Sequence, residues 1–506
     1  MEIIVTGDKV SLNHISQAKS VKLSEAEEFQ ARVNRSHDFL VNEIREGKPI
    51  YGVTTGYGES GKNYLLFEES KILQTNLFRF HGCGVGRNLD EDEAFYMTLI
   101  RMISLSKGYS GISYNLLKRL ELMVNERILP VVPEQGSVGA SGDLTPLSYL
   151  AAAIAGEREV YYKGEIRKTI EVYNELGIKP YELQPKEALA IMNGTATMSA
   201  IATNSIKKFE NFMHAYMSFI AGIFELLQAD DTPLQPLVHD VKPFAGQIAV
   251  AKEILAKLEG TELTHSREER YNDFFNNEML NIQDRYSIRC TPQVLGVVLD
   301  NIVISKDWVE TEINAVNDNP VIDGENGKIY TTGNFYGGYV AHAMDTLRIS
   351  VANVADLLDK QFAILVDHKY NRGLGENLKL SDKNYFHGFK AMQITLSSLS
   401  ADVMMNITPA SVFSRPTESM NQDKVSMGTT ASIHFKNQLP NLENMLAIAM
   451  MGLAQAVDIR DQKGISPHLK KIYDTIREDV APLQEDRRMD FDIKKVVDLI
   501  NSGRLA

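Results

Sequence analysis

Cysteine is nearly missing from this 506-residue chain. Cys83 and Cys290 are the only two, and neither belongs to a CxxC pair. That excludes a disulfide framework and argues against a thiolate zinc site. Blocks of basic residues are also missing. The formal net charge is −13, with 53 Lys and Arg spread among 66 Asp and Glu, so nucleic acid and anionic membranes are poor partners. No run of about 18 or more apolar residues is present to cross a bilayer. The N-terminus, MEIIVTGDKVSLNHI, lacks the basic start and long apolar stretch of a secretory signal. A soluble, cytoplasmic protein is the expectation. There is no βαβ alternation, internal repeat or low-complexity tract.

The chain does contain helical periodicity. It is 44% hydrophobic and 24% charged, an ordinary globular composition that supplies a large core. Met344, Leu347, Val351, Val354, Leu358, Phe362 and Leu365 step by three and four residues, which predicts one buried stripe along a long helix. Residues 195–228 and 441–464 repeat the style, the latter ending in a glycine stop. The run LAIAMMGLAQAV is apolar on nearly every face and belongs in a bundle core or an oligomer interface. Strand signals are few: EIIVTG (2–7), KIYTTG (328–333), and a hairpin in VYYKGEIRK (160–168) that turns at Lys163-Gly164. The predicted class is mainly α, a central bundle of long helices with a small mixed α/β N-terminal domain. Residues 1–194 form the expected first domain and 195–506 the second.

Polar motifs interrupt these helices. YGVTTGYGES (51–60) reads either as a mobile surface loop or as a lid carrying Tyr51 or Tyr57 on glycine hinges. In LFRFHGCGVGRN (77–88), His81 stands where a helix breaks into glycines and so faces a pocket more readily than a lone core histidine does. QDRYSIRCTPQ (283–293) sets Gln283, Tyr286 and Arg289 three residues apart, on one face if helical. Its arginine suits either a bidentate carboxylate or a surface ion pair. ESMNQDKVSMG (418–428), NAVNDNP (314–320) and GNFYGG (333–338) place amides and other polar groups within apolar surroundings. Unsatisfied, each such group costs about 1–3 kcal/mol, so they form a buried network or touch a ligand.

GSVGASGDLTPLSYL (136–150) is the most unusual stretch. Three glycines and two serines crowd its first seven residues, directly before an alanine-rich helix. Glycine in regular structure costs roughly 0.5–1 kcal/mol relative to alanine. Either this is an ordinary loop, or its backbone takes a path that other residues forbid.

With that stretch the chain resembles the aromatic amino-acid ammonia-lyases and aminomutases. YGVTTGYG, NGT (193–195), QDRYSIRC, NDNP, GNF and NQDKVSMG follow in the family's order, from about Tyr51 to Gly428. The resemblance implies that Ala140, Ser141 and Gly142 cyclise autocatalytically to 4-methylidene-imidazole-5-one, an electrophile made without a metal or vitamin. Gly142 lets its backbone nitrogen reach the Ala140 carbonyl, and Ser141 loses water to leave a methylidene. N-terminal amides of the following helix would favour negative charge on the ring. The resemblance also implies roles for other residues. Tyr51 matches the base that removes a β-proton, and an ordinary tyrosine pKa near 10 then requires help from positive charge or amides. Tyr286 and Asn193 match residues lining the electrophile, and Arg289 matches the carboxylate-binding arginine. Gln283, Asn317 and Phe335 match further pocket positions. The family fold is a helical bundle, and its members assemble as homotetramers whose sites draw on three chains.

The expected reaction is loss of ammonia from an aromatic L-amino acid, giving a trans-α,β-unsaturated acid. Phe80-His81 occupies the family's selectivity pair. His81 offers a hydrogen bond to imidazole or phenol and would be a desolvated polar group beside a plain phenyl ring. Phe80 shortens the pocket and favours histidine, with urocanate as product. Gln422 stands where histidine lyases carry glutamate, which suits a phenol, so tyrosine is the alternative. A 2,3-aminomutase and a non-catalytic relic stay open beside these.

Overall fold

A computed structural model describes residues 1–276 and 282–506. The chain forms two compact units. The first takes Met1–Ser205, Ser305–Asp345 and Pro409–Lys436; the second takes Ile206–Ile304, Thr346–Thr408 and Asn437–Ala506. Two late segments thus join the unit that holds residues 1–194.

Four long helices, Ala196–Leu226, Thr291–Ile313, Gly338–Val366 and Gly428–Ile459, pass the division within their own length. All seven residues of the stripe from Met344 to Leu365 are buried. The helix expected over 195–228 is observed at Ala196–Leu226. The one expected over 441–464 begins earlier, at Gly428, and continues through Pro440. Its first turns carry Thr, Ser, His, Lys and Asn between apolar residues, which hid the period. By length and composition this helix is long enough to cross a membrane, but 78% of its apolar window is buried in protein, as in a core helix.

In the first unit, strand Glu2–Val5 pairs parallel with Ser20–Leu23, in the register Glu2↔Ser20. The predicted hairpin forms between Glu159–Tyr162 and Glu165–Lys168, with Lys163 and Gly164 both at positive φ, the backbone that a two-residue hairpin turn requires. Val85–Asn88 pairs antiparallel with Pro133–Gln135. This brings the end of the Phe67–His81 helix beside the start of the glycine-rich stretch. Helix Leu144–Ile154 follows that stretch and packs against Phe67–His81 and Glu187–Met192. Helix Glu91–Leu105 starts with a capping box: Glu93 N–H donates to Asp90 at 2.8 Å, and Asp90 N–H to Glu93 at 3.0 Å.

In the second unit, Arg460 caps the end of Ala196–Leu226 by donating to the Leu226 carbonyl at 3.0 Å. Ser466 caps helix Pro467–Asp479 and donates to Glu225 at 2.7 Å. Gln361 accepts from the Tyr216 hydroxyl at 2.7 Å and donates to the Ser287 carbonyl at 2.9 Å, which fixes the short helix Tyr286–Arg289.

One ion pair in the first unit has no access to water. Lys186 Nζ lies 2.6 Å from Asp318 Oδ2, and both side chains are fully buried. Burial pulls the Lys186 pKa down, and the Asp318 charge opposes it. Breaking such a pair strands a charge in the interior. Lys186→Met should lower stability by about 3–5 kcal/mol in urea unfolding. The double variant Lys186→Met/Asp318→Leu should recover much of that loss.

Candidate active site

The glycine-rich stretch folds as a bent loop clamped on two sides. Gly139 has φ +68, and a Cβ there would lie 2.2 Å from the Ser426 hydroxyl. Gly142 has φ +71, and a Cβ there would lie 2.2 Å from the Gly194 carbonyl oxygen. Both positions therefore need glycine for conformation and for space. Met427 N–H donates to the Val138 carbonyl at 2.9 Å, and Asp143 N–H to the Gly194 carbonyl at 2.7 Å. Asn193 Nδ2 donates to the Ser141 carbonyl at 2.9 Å, while its Oδ1 is buried without a partner. Asp143 caps the Ala196–Leu226 helix by accepting from Met198 N–H at 2.8 Å. Burial pushes its pKa up to about 6, against the pull of Thr429, Met198 and Ser137.

A cavity of about 690 Å³ opens in front of this loop. Tyr51, Phe80, His81, Ala140, Ser141, Asn193, Phe335 and Gln422 all line it. Eight residues singled out from the sequence thus meet in one unit, and Gly142 is the next residue of the same loop. Asn317 is placed behind the wall: it is buried and donates to Glu312 Oε1 at 2.9 Å. Gln283, Tyr286 and Arg289 belong to the second unit. They do not share one helical face, because the helix starts only at Tyr286. Arg289 Nε donates to the Asp284 carbonyl at 3.1 Å, and its guanidinium lies 4.6 Å from the Tyr286 ring centroid. Among the described residues, no three His, Cys, Asp or Glu gather as a metal site.

Two groups on the cavity wall have shifted pKa values. His81 Nδ1 lies 3.0 Å from the Leu77 carbonyl. A carbonyl only accepts, so Nδ1 carries the hydrogen. Burial lowers the His81 pKa and keeps the ring neutral, although the Leu77 bond works the other way. Nε2 is then an acceptor. The Phe80 ring packs against His81, centroids 4.2 Å apart. The Tyr51 hydroxyl accepts from Gly58 N–H at 2.8 Å. Burial raises the Tyr51 pKa, the Gly58 amide lowers it, and the charge of Glu418 raises it.

Glu418 was not among the sequence-derived candidates. Its carboxylate accepts from Glu59 N–H at 3.1 and 3.2 Å, which ties the 56–62 segment to the 417–422 turn. Glu418, Ser419 and Met420 all hold positive φ, and Thr417 N–H donates back to the Gln422 carbonyl at 2.9 Å. The turn points Gln422 at the loop: its Oε1 accepts from the Thr417 hydroxyl at 2.8 Å, and its Nε2 donates to Ser141 Oγ at 3.3 Å. The sequence signal for Glu418 was an acid heading a run of amides. Arg101 was missed as well. It is fully buried behind the loop, and its signal was a lone charge within the apolar run TLIRMISL.

The model of the family described as aromatic amino acid lyase matches residues 10–478. A histidine ammonia-lyase of Alkaliphilus oremlandii is 34% identical over 507 aligned positions, covering 100% of this chain and 97% of that protein. The structure of a tyrosine aminomutase from Streptomyces globisporus superposes with a TM-score of 0.95 at 32% identity, covering 100% of this chain and 98% of that one. A histidine ammonia-lyase structure from Trypanosoma cruzi has a TM-score of 0.89 at 28% identity, covering 100% and 94%.

The electrostatics of Tyr51 can be tested directly. Glu418→Gln keeps an acceptor for the Glu59 amide but removes the negative charge. The Tyr51 phenolate should then form at lower pH than in the unaltered protein. The ultraviolet titration difference between each protein and its Tyr51→Phe derivative measures this; an unchanged Tyr51 titration would contradict the assignment.

Proposed function

The chain belongs to the aromatic amino acid lyase family, and on that premise we propose that it eliminates ammonia from an aromatic L-amino acid, L-histidine first, to give a trans-α,β-unsaturated acid. The observation that carries this reading is the single cavity on which Tyr51, His81 and Ser141 meet.

The Ala140-Ser141-Gly142 segment fits 4-methylidene-imidazole-5-one. Gly142 has the required bend and no room for a side chain, Asn193 donates to the Ser141 carbonyl, and the unpartnered Asn193 Oδ1 leaves polar capacity beside it. When formed, the group supplies an electrophilic carbon to the substrate amine at the cavity wall. The chain's own residues do the remaining work. Tyr51 Oη takes the β-proton, with the Gly58 amide stabilising the phenolate. His81 Nε2 accepts a hydrogen bond from the substrate ring, and Phe80 limits the length of the ring that fits. Arg289 holds the substrate carboxylate, and Tyr286, Gln283 and Phe335 complete the site, with Asn317 behind its wall; these roles rest on matches to the family's motifs.

Such a site calls for several chains, and we take the assembly to be a homotetramer with shared sites. Support comes from the second unit, where Tyr286 is 72% exposed and Val297, Val303, Ile304 and Ile349 present apolar side chains to solvent. A cytoplasmic location fits this reading.

Tyrosine is the second reading, and Gln422 favours it. A neutral amide donor there removes the carboxylate that would attract a charged imidazole. Purified protein offered histidine, tyrosine and phenylalanine separately at mildly alkaline pH should release ammonia from histidine with the ultraviolet spectrum of urocanate. Coumarate from tyrosine instead would make Gln422 the better guide, and a β-amino acid without free ammonia would mark an aminomutase. His81→Leu should lower kcat/KM for histidine about three- to tenfold, the range of one lost neutral hydrogen bond. Mixing inactive Tyr51→Phe and Arg289→Ala chains during refolding should restore part of the activity if sites are shared; none at all would contradict that.

A further inference from the structure

Arg101 lies behind the loop, in the second half of helix Glu91–Leu105, with no exposure to solvent. Its Nε donates to the Ala190 carbonyl at 2.9 Å, its Nη2 donates to the same oxygen, and Nη2 also reaches the Asn193 carbonyl at 3.2 Å. Nη1 has no hydrogen-bond partner. A Cβ built on Gly194 would lie 2.0 Å from that Nη1, and one built on Gly142 would lie 2.2 Å from the Gly194 oxygen. The guanidinium, Gly194 and Gly142 therefore follow one another closely, with no space for a methyl group at either contact. Asp143 and Asp318 supply the opposing negative charge.

Helix capping alone does not account for this arrangement. A cap needs the carbonyl bonds but not an unpaired nitrogen set where a side chain on Gly194 would be. The bonded carbonyls lead into the residues that face the loop: Asn193 holds the Ser141 carbonyl, and the Gly194 carbonyl holds Asp143 N–H.

We propose that Arg101 is a positioning residue for closure of the Ala140-Ser141-Gly142 ring, clamping the Asn193-Gly194 segment against Gly142 so that the loop backbone stays bent. This rests on the lyase reading above. Ring closure joins the Gly142 nitrogen to the Ala140 carbonyl carbon; the carbonyl oxygen leaves as water with the Gly142 and Ser141 amide hydrogens, and a C=N bond to the Ser141 nitrogen replaces the C=O. Loss of the Ser141 hydroxyl with its α-hydrogen expels a second water. Nothing is oxidised or reduced, and Arg101 exchanges no proton. Arginine suits the role because one planar fork reaches two carbonyls while a further nitrogen fills the space beside Gly194; a lysine ammonium has no such fork.

The test is the intact mass of purified chains, read beside a thermal melt. Unaltered protein should be lighter than its encoded sequence by two water molecules. Arg101→Lys should melt cooperatively yet remain mostly at the encoded mass, without the ring's ultraviolet absorbance. Gly194→Ala keeps every charge but displaces the guanidinium from the same contact, so it should show the same shortfall and guards against a lysine variant that fails to fold. A folded variant of either kind with the full mass deficit would overturn the proposal. Unaltered protein at its full encoded mass would instead overturn the cyclisation reading, and the clamp with it.

Discussion

The site depends on one contact between two stretches of backbone: Gly142 against Gly194. A side chain at either position would collide, Gly142 with the Gly194 carbonyl and Gly194 with Arg101. Because that contact is so close, Asp143 N–H meets the Gly194 carbonyl and Asn193 meets the Ser141 carbonyl. Ser141 is thereby held at the cavity wall while Asp143 turns inward to cap the next long helix. The same few residues form a tightly bent loop, a helix cap and part of the cavity wall.

Behind the loop the interior carries charge that a stability-optimised core would avoid. Asp143 is pushed up to about 6 and Glu312 up to about 7, each mainly by burial. A carboxyl whose folded pKa exceeds its unfolded value binds more protons when folded. Its ionisation therefore opposes folding as pH rises from about 4 toward the folded pKa, and the full penalty applies above that. The fold accepts this at neutral pH because these groups position others: Asp143 caps a helix, and Glu312 holds Thr195 and Asn317. Local compromises of this kind are expected where a site is built.

Much of the helical framework was legible because helical periodicity is a local property. The Met344–Leu365 stripe and the hairpin at Lys163-Gly164 needed only spacing and turn chemistry. The Gly428 start was obscured because a proline and a polar series masked a helix that tertiary burial sustains. Within the candidate site, Tyr51 and His81 were legible as interruptions of the helical pattern and Ser141 as part of the glycine-rich stretch, while Phe80 and Gln422 were singled out by the family resemblance. Glu418 and Arg101 were not, since their roles arise from partners far along the chain: Glu59 for one, Ala190 and Asn193 for the other. The return of 305–345 and 409–436 to the first unit is likewise a long-range fact that no local pattern encodes.

The Leu77–His81 bond has a consequence for what the cavity can distinguish. With Nδ1 committed to a backbone carbonyl inside its own helix, the ring cannot flip or change tautomer without losing that bond. The wall therefore presents a lone pair of fixed direction. On the proposed function, an imidazole bound against it would have to bring its hydrogen on the nitrogen that faces Nε2, so the two neutral tautomers of a histidine side chain would be sorted. A phenol, whose hydroxyl hydrogen rotates freely, satisfies the same lone pair without being sorted.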